Sequence, residues 1–414
     1  MISTKFIPHI GHIPTDWSMG KVSDLISNLD AGVSVNGEGR PAADGEYGVL
    51  KVSAVTCGQF KDTENKAILP QELKRSKVTP KKNCIIISRS NTPSLVGASA
   101  YIGRDYPYLF LPDKLWLASC DNGRTSMRWL GYYLASAQAR YKLSNLATGT
   151  SSSMRNITKA EVLSLLVATP SLTEQNGIAR VLETWDRAIE KTEALIEAKE
   201  RRKKGLTQRL LTGKVRFGEF KDQEWRQYRL GALFTQRNER GREDLPLVSI
   251  TMKGGVVPRY DAGKKDTSST DKSRYLRICP GDVGYNTMRL WQGVSGVSSL
   301  EGIVSPAYTI CIPGPLVDAE FMGYFFKSKQ MVHLFYRYSQ GLVSDTWNLK
   351  FRHFSKIKVK IPFIREQRKI ANVFRDVDKD IKRLEKQLDI LKTQKKGLMQ
   401  QLLTGKVRVN AQAN

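Results

Sequence analysis

The chain reads as a duplicated mixed α/β (α+β) fold: two globular domains separated by two long antiparallel helices, in a pseudo-twofold internal repeat. Three observations predict it. Residues Pro170 to Phe217 align without a gap on Pro362 to Val409 at a constant offset of 192. The match is densest where Lys203-Lys204-Gly205-Leu206 and Leu210-Leu211-Thr212-Gly213-Lys214-Val215-Arg216 return as Lys395-Lys396-Gly397-Leu398 and Leu402-Leu403-Thr404-Gly405-Lys406-Val407-Arg408. The same offset carries Trp129-Leu130-Gly131-Tyr132-Tyr133 onto Phe321-Met322-Gly323-Tyr324-Phe325, and Gly149 with Asn156 onto Gly341 with Asn348. Further back, Asp16-Trp17 returns as Glu224-Trp225 at an offset of 208, and the stretches between these anchors are hard to align. A period this long exceeds the few tens of residues of a solenoid unit, so a whole domain with its connector has been duplicated. Like helices predict like partners, and unlike domain interiors predict different targets.

The expected order is a first globular domain (1–169), a first helical spacer (170–217), a second globular domain (218–361), and a second helical spacer with the C-terminal tail (362–414). In the globular parts, Val49 to Val55, Cys84 to Ser88, Leu247 to Thr251 and Tyr308 to Ile312 have strand character and are bounded by Gly, Pro and Asp turns. Met127 to Ala139 and Ala319 to Tyr338 have helical periodicity. In the second spacer Ile370, Val373, Val377, Ile381, Leu384, Leu388, Leu391, Leu398 and Leu402 form an a/d seam, with Lys395 at the one polar position. The first spacer keeps Ile178, Val181, Trp185, Ile189, Ile196, Leu206 and Leu210 but places Thr192, Lys199 and Lys203 on its seam, so it is expected to pair with the second helix. Ser171 and Glu174 have capping-box spacing, and Gly213 and Gly405 stand where a left-handed C-terminal cap falls. Gly205 and Gly397 interrupt the helices at a cost of about 1 kcal/mol relative to alanine, which predicts close approach by something at those positions. The bland reading of the helices is a scaffold only. The near identity of the two Lys-Lys-Gly-Leu to Val-Arg blocks favours a partner dock as well, through Lys203, Lys204, Leu206, Leu210 and Lys395, Lys396, Leu398, Leu402.

Charge points to the partner. Lys plus Arg is 66 against 40 Asp plus Glu, a formal net charge of +26, which is the electrostatic footprint of a polyanion binder. The first spacer holds 11 basic and 7 acidic residues and the second 13 and 6, so more than half of the excess lies on the globular domains. Folded surfaces, rather than a basic tail, are expected to meet nucleic acid. Within those surfaces the polar loops Ala147 to Asn156 and Ser339 to Asn348 offer donors to phosphate, with Thr150, Ser151, Ser152, Arg155, Ser344 and Thr346 as candidates. Asn286, Arg289, Trp291 and Gln292 follow a strand in the second domain, and Arg89, Ser90 and Asn91 occupy a comparable place in the first. Arg, Asn and Gln can bond bidentately to guanine or adenine edges, although any one of these side chains could equally be ordinary surface or turn chemistry.

Other chemistry is not written here. The five cysteines (Cys57, Cys84, Cys120, Cys279 and Cys311) form no C-x-x-C pair, and His9 with His12 is expected to be surface, so no metal site is predicted. Gly213-Lys214 and Gly405-Lys406 lack the rest of a Walker A pattern, and Gly37-Glu38-Gly39 lacks the third glycine of a dinucleotide loop. No Asn-Pro-Pro-Tyr or Asp-Pro-Pro-Tyr base-binding motif, H-E-x-x-H or G-x-S-x-G appears. A non-catalytic chain is expected. The N-terminus shows no signal pattern and no apolar run approaches the roughly 18 residues of a membrane span, so a cytoplasmic location is expected.

The arrangement resembles the DNA-specificity subunit of type I restriction-modification systems. The residues that carry the likeness are Ile13-Pro14-x-x-Trp17, Asn286-Thr287-Met288, Gly302-Ile303-Val304-Ser305-Pro306-Ala307-Tyr308, Pro362-x-x-x-Glu366-Gln367, and Leu-Thr-Gly-Lys-Val-Arg closing both repeats. It departs where Glu224-Trp225 lacks the Ile-Pro lead and where Ser171 follows Pro170. The resemblance implies two target-recognition domains, each reading half of a split site on double-stranded DNA, divided by paired conserved helices. It implies two methyltransferase subunits docked on those helices, and two motor-nuclease restriction subunits joined to that core. No cofactor is expected in this chain: S-adenosylmethionine belongs to the methyltransferase partner, ATP and Mg to the motor. The alternative is a stand-alone DNA- or RNA-binding architectural protein without enzyme partners. A fragment of a fused methyltransferase would need a cofactor domain that this sequence lacks.

Overall fold

The computed structural model describes residues 3–409 except 9, 57, 122, 149–153, 253, 264–267, 344 and 345. The chain forms two compact units, Met1–Lys191 with Leu388–Asn414, and Thr192–Gln387. Each takes in the near ends of both long helices, Leu172–Leu210 and Ile364–Leu403. Both helices run unbroken through Gly205 and Gly397.

In the first unit a four-stranded antiparallel sheet has the order Ser99–Ile102, Cys84–Ser88, Leu115–Ser119, Asn28–Ala31. Strand side chains alternate between faces, and here both faces are buried. Ile85, Ile87, Trp116 and Ala118 join the core that holds Trp17 and Trp129. Cys84, Ile86, Leu115 and Leu117 join a second core on the other side. The second unit repeats the plan with Ser295–Val297, Val283–Asn286, Tyr308–Pro313 and Phe234–Arg237 in the corresponding order. Its Val283, Tyr285 and Cys311 face the larger core, and Ile310 faces the smaller. Cys84–Ser88 and Val283–Asn286 are therefore the same strand of the same sheet, although their sequences barely align.

Three sequence expectations are corrected. The stretch Val49 to Val55 is not one strand: Gly48–Leu50 and Val55–Thr56 flank a 3-10 turn at Val52–Ala54. The helix expected over Met127 to Ala139 is two, Met127–Ala135 and Ala137–Leu146. Ala319 to Tyr338 likewise divides into Ala319–Phe325 and Lys329–Tyr338. The reason is the same in both units. Ser136 and Ser328, one offset apart, take extended backbone and accept hydrogen bonds from the Ala139 and Met331 amides, starting a new helix in a new direction. The apolar periodicity continues across each break and hides it.

The long-helix ends follow the sequence more closely. Ser171 Oγ accepts from the Glu174 amide at 3.3 Å, but the Glu174 carboxylate leaves the capping box for Arg408 and Trp17. Gly213 and Gly405 adopt φ of +69° and +70°. An added Cβ there would also press on the Trp225 and Trp17 rings at 3.3 and 3.2 Å, so both conformation and space call for glycine. Free thiols occur at Cys84, Cys120, Cys279 and Cys311, and Cys57 lies outside the described residues, as does His9. Among the described residues no helix is long and apolar enough to cross a membrane.

Candidate nucleic-acid interface

Each unit delivers a polar loop from the end of the equivalent strand, and a second polar segment returns beside it. In the first unit Ser90 and Asn91 pair with Asn156 and Arg155 in a short ladder, and the Ile157 amide donates to the Arg89 carbonyl at 3.0 Å. In the second, the Leu349 amide donates to the Thr287 carbonyl at 2.8 Å. Residues 157 and 349 are one offset apart. The returning hairpins are closed by matching bridges, Thr148 to Asn156 and Gln340 to Asn348. The structure thus brings together, within each unit, two segments that the sequence singles out separately.

Hydrogen bonding sorts the candidates by what they have left to offer. In the first unit Ser90 is buried, and Asn91 spends Nδ2 on Ser88 Oγ and Oδ1 on the Thr92 amide. Arg155 donates to the Ala147 carbonyl at 3.2 Å and holds the hairpin. Arg89 is exposed and makes no side-chain hydrogen bond among the described residues. Thr150, Ser151 and Ser152 lie outside the described residues.

In the second unit Asn286 Oδ1 accepts from the Met288 amide at 3.0 Å, and Thr287 Oγ1 donates to the Ala307 carbonyl at 2.8 Å. Trp291 Nε1 donates to the Met288 carbonyl at 2.9 Å. These bonds brace the loop from within. Arg289 and Gln292 are exposed and make no side-chain hydrogen bond among the described residues. Leu290 between them is fully buried, and Gly293 closes the turn at φ +87°. Thr346 bonds both ways to Val343 and shapes the hairpin, whose Gly341 would put a Cβ 2.7 Å from the Thr346 carbonyl. Ser344 lies outside the described residues. The loop borders a groove of about 1090 Å³ whose walls include Arg259, Asn286, Met288, Arg289, Trp291 and Gln292. Arg259 was missed by sequence reasoning because nothing local marks it: it reaches the groove from a turn nearly thirty residues upstream and bonds Ser249 Oγ at 3.2 Å.

The helices are tied to the domains by a reciprocal set of ion pairs. In the first unit the Arg408 guanidinium grips the Glu174 carboxylate at 2.6 and 2.8 Å, and also Asp16 at 2.7 Å. Trp17 Nε1 donates to the same Glu174 at 3.0 Å. In the second unit Arg216 takes Glu366 in the same fork. The closing Val-Arg of each repeat therefore pairs with the opening Glu of the other. Lys395 and Tyr132 converge on Asp186, and Lys203 and Tyr324 on Asp378, again one offset apart. Burial first, and the bonded carboxylate second, push both phenols well above the usual tyrosine range. Lys199, also on the expected seam, pairs with Asp380. The seam lysines are interhelical ion pairs rather than gaps.

This reciprocity accounts for much of the likeness between the two helical blocks. Leu210 and Leu211 enter the second unit's core, with Leu206 packed against it. Leu402 and Leu403 enter the first unit's core, with Leu398 against it. Of the eight residues singled out as a dock, Lys203, Lys395 and the four leucines are used inside the chain. Lys204 and Lys396 remain exposed. The close approach expected at Gly205 and Gly397 does not come from the described residues, since among them a Cβ at either would meet nothing within 4 Å. In the first unit Lys396 also lines a groove of about 1050 Å³ beside Arg140, Tyr141, Lys395, Met399 and Lys406.

Two unlike polar loops on one repeated sheet, with the paired helices joined in each unit by the same exchanged ion pairs, define a duplicated α/β fold. Comparison with known proteins agrees. Residues 14–200 match the family model described as the type I restriction modification DNA specificity domain. The EcoEI type I restriction enzyme specificity subunit of Escherichia coli is 21% identical over 187 residues, covering 45% of this chain and 32% of that one. That match spans about a third of the relative's length. A putative type I restriction enzyme MjaX specificity subunit of Methanocaldococcus jannaschii is 22% identical over 429 aligned residues, covering 97% of this chain and 96% of that one. The crystal structure of the S subunit of a type I restriction-modification system from M. genitalium superposes with a TM-score of 0.57 at 16% identity, over 96% of this chain and 97% of that one. A chain from a structure of type I R-M complex assembly gives 0.54 at 14% identity, over 95% and 99%. The chain is thus similar, over residues 14–200 in sequence and over nearly its whole length in fold, to type I restriction-modification specificity subunits.

Proposed function

We propose that the chain is the non-catalytic, DNA-reading subunit of a type I restriction-modification assembly. Residues 1–169 and 218–361 act as recognition domains, each reading one half of a bipartite target. Residues 170–217 and 362–414 act as spacer and dock for two methyltransferase subunits, to which two motor-nuclease subunits are added. The observation that carries this reading is the pair of loops, Arg89–Asn91 and Asn286–Gln292. They leave the same strand of the same sheet and are braced by the same returning hairpin, yet present different side chains. A binder of backbone phosphate alone would gain nothing from that divergence, because phosphate contacts carry no sequence information. The spare donors are Arg and Gln, the types that bond guanine and adenine edges.

The test is co-purification of the tagged chain with the methyltransferase subunit of its system, read by native mass spectrometry. A complex of one chain with two methyltransferases is expected. A chain that binds DNA and never takes up a methyltransferase would establish the stand-alone architectural alternative instead.

A further inference from the structure

The loop of the second unit shows more than spare donors. Its own bonds spend Asn286 Oδ1, Thr287 Oγ1 and Trp291 Nε1 inward. What faces outward is Met288, 46% exposed, flanked by Arg289 and Gln292. The Trp291 ring, whose Nε1 donates to the Met288 carbonyl, meets Trp347 edge-on, with centroids 5.3 Å apart at 78°. Trp347 in turn meets Tyr336 at 4.9 Å and 74°. Edge-to-face packing of this kind holds rings in place, and the 3-10 turn Leu290–Gln292 is pinned by the buried Leu290 and by Val332 3.5 Å from the Gly293 Cβ position. The loop is a braced platform that offers an apolar thioether beside one cation, Arg289, and one amide, Gln292.

A phosphate site has no use for an exposed methionine whose backbone is braced by an aromatic cluster. A base-edge reader does, because thymine alone presents a methyl group in the major groove, where apolar side chains recognise it. Arg289, at one side of Met288, and the basic groove wall at Arg259 match the charge of the duplex. The first unit's loop has no counterpart: its exposed side chains are Arg89, Thr92, Pro93 and Ser94, with no methionine or aromatic ring among them, and positions 144 and 155, one offset from Tyr336 and Trp347, are Ser and Arg. We infer that Met288, held on the Trp291–Trp347–Tyr336 platform, reads the 5-methyl group of a thymine in the half-site of the second domain, next to the base bonded by Arg289 or Gln292. This deepens the proposed DNA-reading role and rests on it.

The experiment uses the chain in complex with its methyltransferase subunits and duplexes of its own target. Each thymine is replaced in turn by deoxyuridine, which removes only the methyl. One replacement, in one half-site only, is expected to weaken binding about three- to fivefold, the value of one buried methyl-sized group. The Met288→Ala complex is expected to bind thymine and deoxyuridine duplexes equally, and Met288→Leu to keep the discrimination. A half-site without thymine, no effect of any replacement, or unchanged discrimination by Met288→Ala would overturn the inference. The deoxyuridine series uses unaltered protein, so a folding defect in a variant cannot decide the result. Failure of the unaltered complex to prefer any duplex sequence would instead refute the recognition role itself.

Discussion

Gly205 and Gly397 are the sharpest test of what the helices are for. Each stands inside a long helix, where glycine costs about 0.8–1.0 kcal/mol relative to alanine, and a Cβ at either position meets nothing within 4 Å among the described residues. Inside the isolated chain, then, Gly205→Ala and Gly397→Ala have only a gain to deliver. Each should stabilise its own unit by up to about 1 kcal/mol, or about 2–4 °C for a unit of this size. The two sites lie in different units, so the effects should add. If a methyltransferase subunit packs its backbone against these glycines, the new methyl groups overpack that contact at about 1–3 kcal/mol each, roughly five- to hundredfold in affinity. The assays are thermal melting of the isolated chain and titration of the methyltransferase subunit by mass photometry. The account predicts a chain that melts higher and assembles worse. A double variant that melts higher and assembles like the parent would remove the dock from these positions, and one that melts lower would show the helices are not open there.

Three further outcomes follow from the duplicated clamps. Trp17→Phe loses a bond to the buried Glu174 carboxylate and should cost about 1.5–3 kcal/mol beyond the packing lost with the smaller ring, whereas Trp225→Phe removes a donor with no partner among the described residues and should cost only that packing; equal losses in urea melts would contradict this. The Arg408 guanidinium holds the Asp16 carboxyl below its usual value, so Asp16 stabilises the fold above its unfolded pKa of about 4 and loses that effect as pH falls through the lower folded value. The melting difference between the parent and Asp16→Asn should therefore shrink below about pH 4, and a difference that widens in acid would reverse the assignment. Arg128 pairs with Glu183 in the first unit, while Glu320 pairs with Arg375 at the equivalent positions of the second, with the charges reversed. Arg128→Glu alone should destabilise the first unit by up to about 1 kcal/mol for this partly exposed pair, and adding Glu183→Arg should restore it; failure of restoration in a double-mutant cycle would dissolve the pair.

How much of this could be read from the sequence depends on the range of the cause. The long helices, their continuity through Gly205 and Gly397, and the caps at Gly213 and Gly405 follow from periodicity and backbone conformation, which are local. The helix breaks at Ser136 and Ser328 are also local, but the apolar pattern runs across them and conceals the capping serine. Periodicity shows that a face is buried without showing what buries it. Leu210 and Leu402 therefore looked available to a partner, when each enters the core of the unit that the other helix begins. The candidate loops are marked in the sequence by composition and by their place after a strand. Their pairing with the returning hairpins, the inward bonds of Asn91 and Asn286, and the arrival of Arg259 depend on contacts tens of residues apart, and no short motif encodes them.

The central claim is that two unlike domains read two halves of one target. Sequencing the methylome of cells that carry this chain with its methyltransferase subunits tests it most directly, with Arg289→Ala compared against the parent. The account predicts a bipartite methylated motif of two different half-sites around a non-specific spacer, relaxed in one half alone by Arg289→Ala, at about 1–3 kcal/mol for a lost base-edge contact. A single contiguous motif, or a loss spread evenly over both halves, would contradict it.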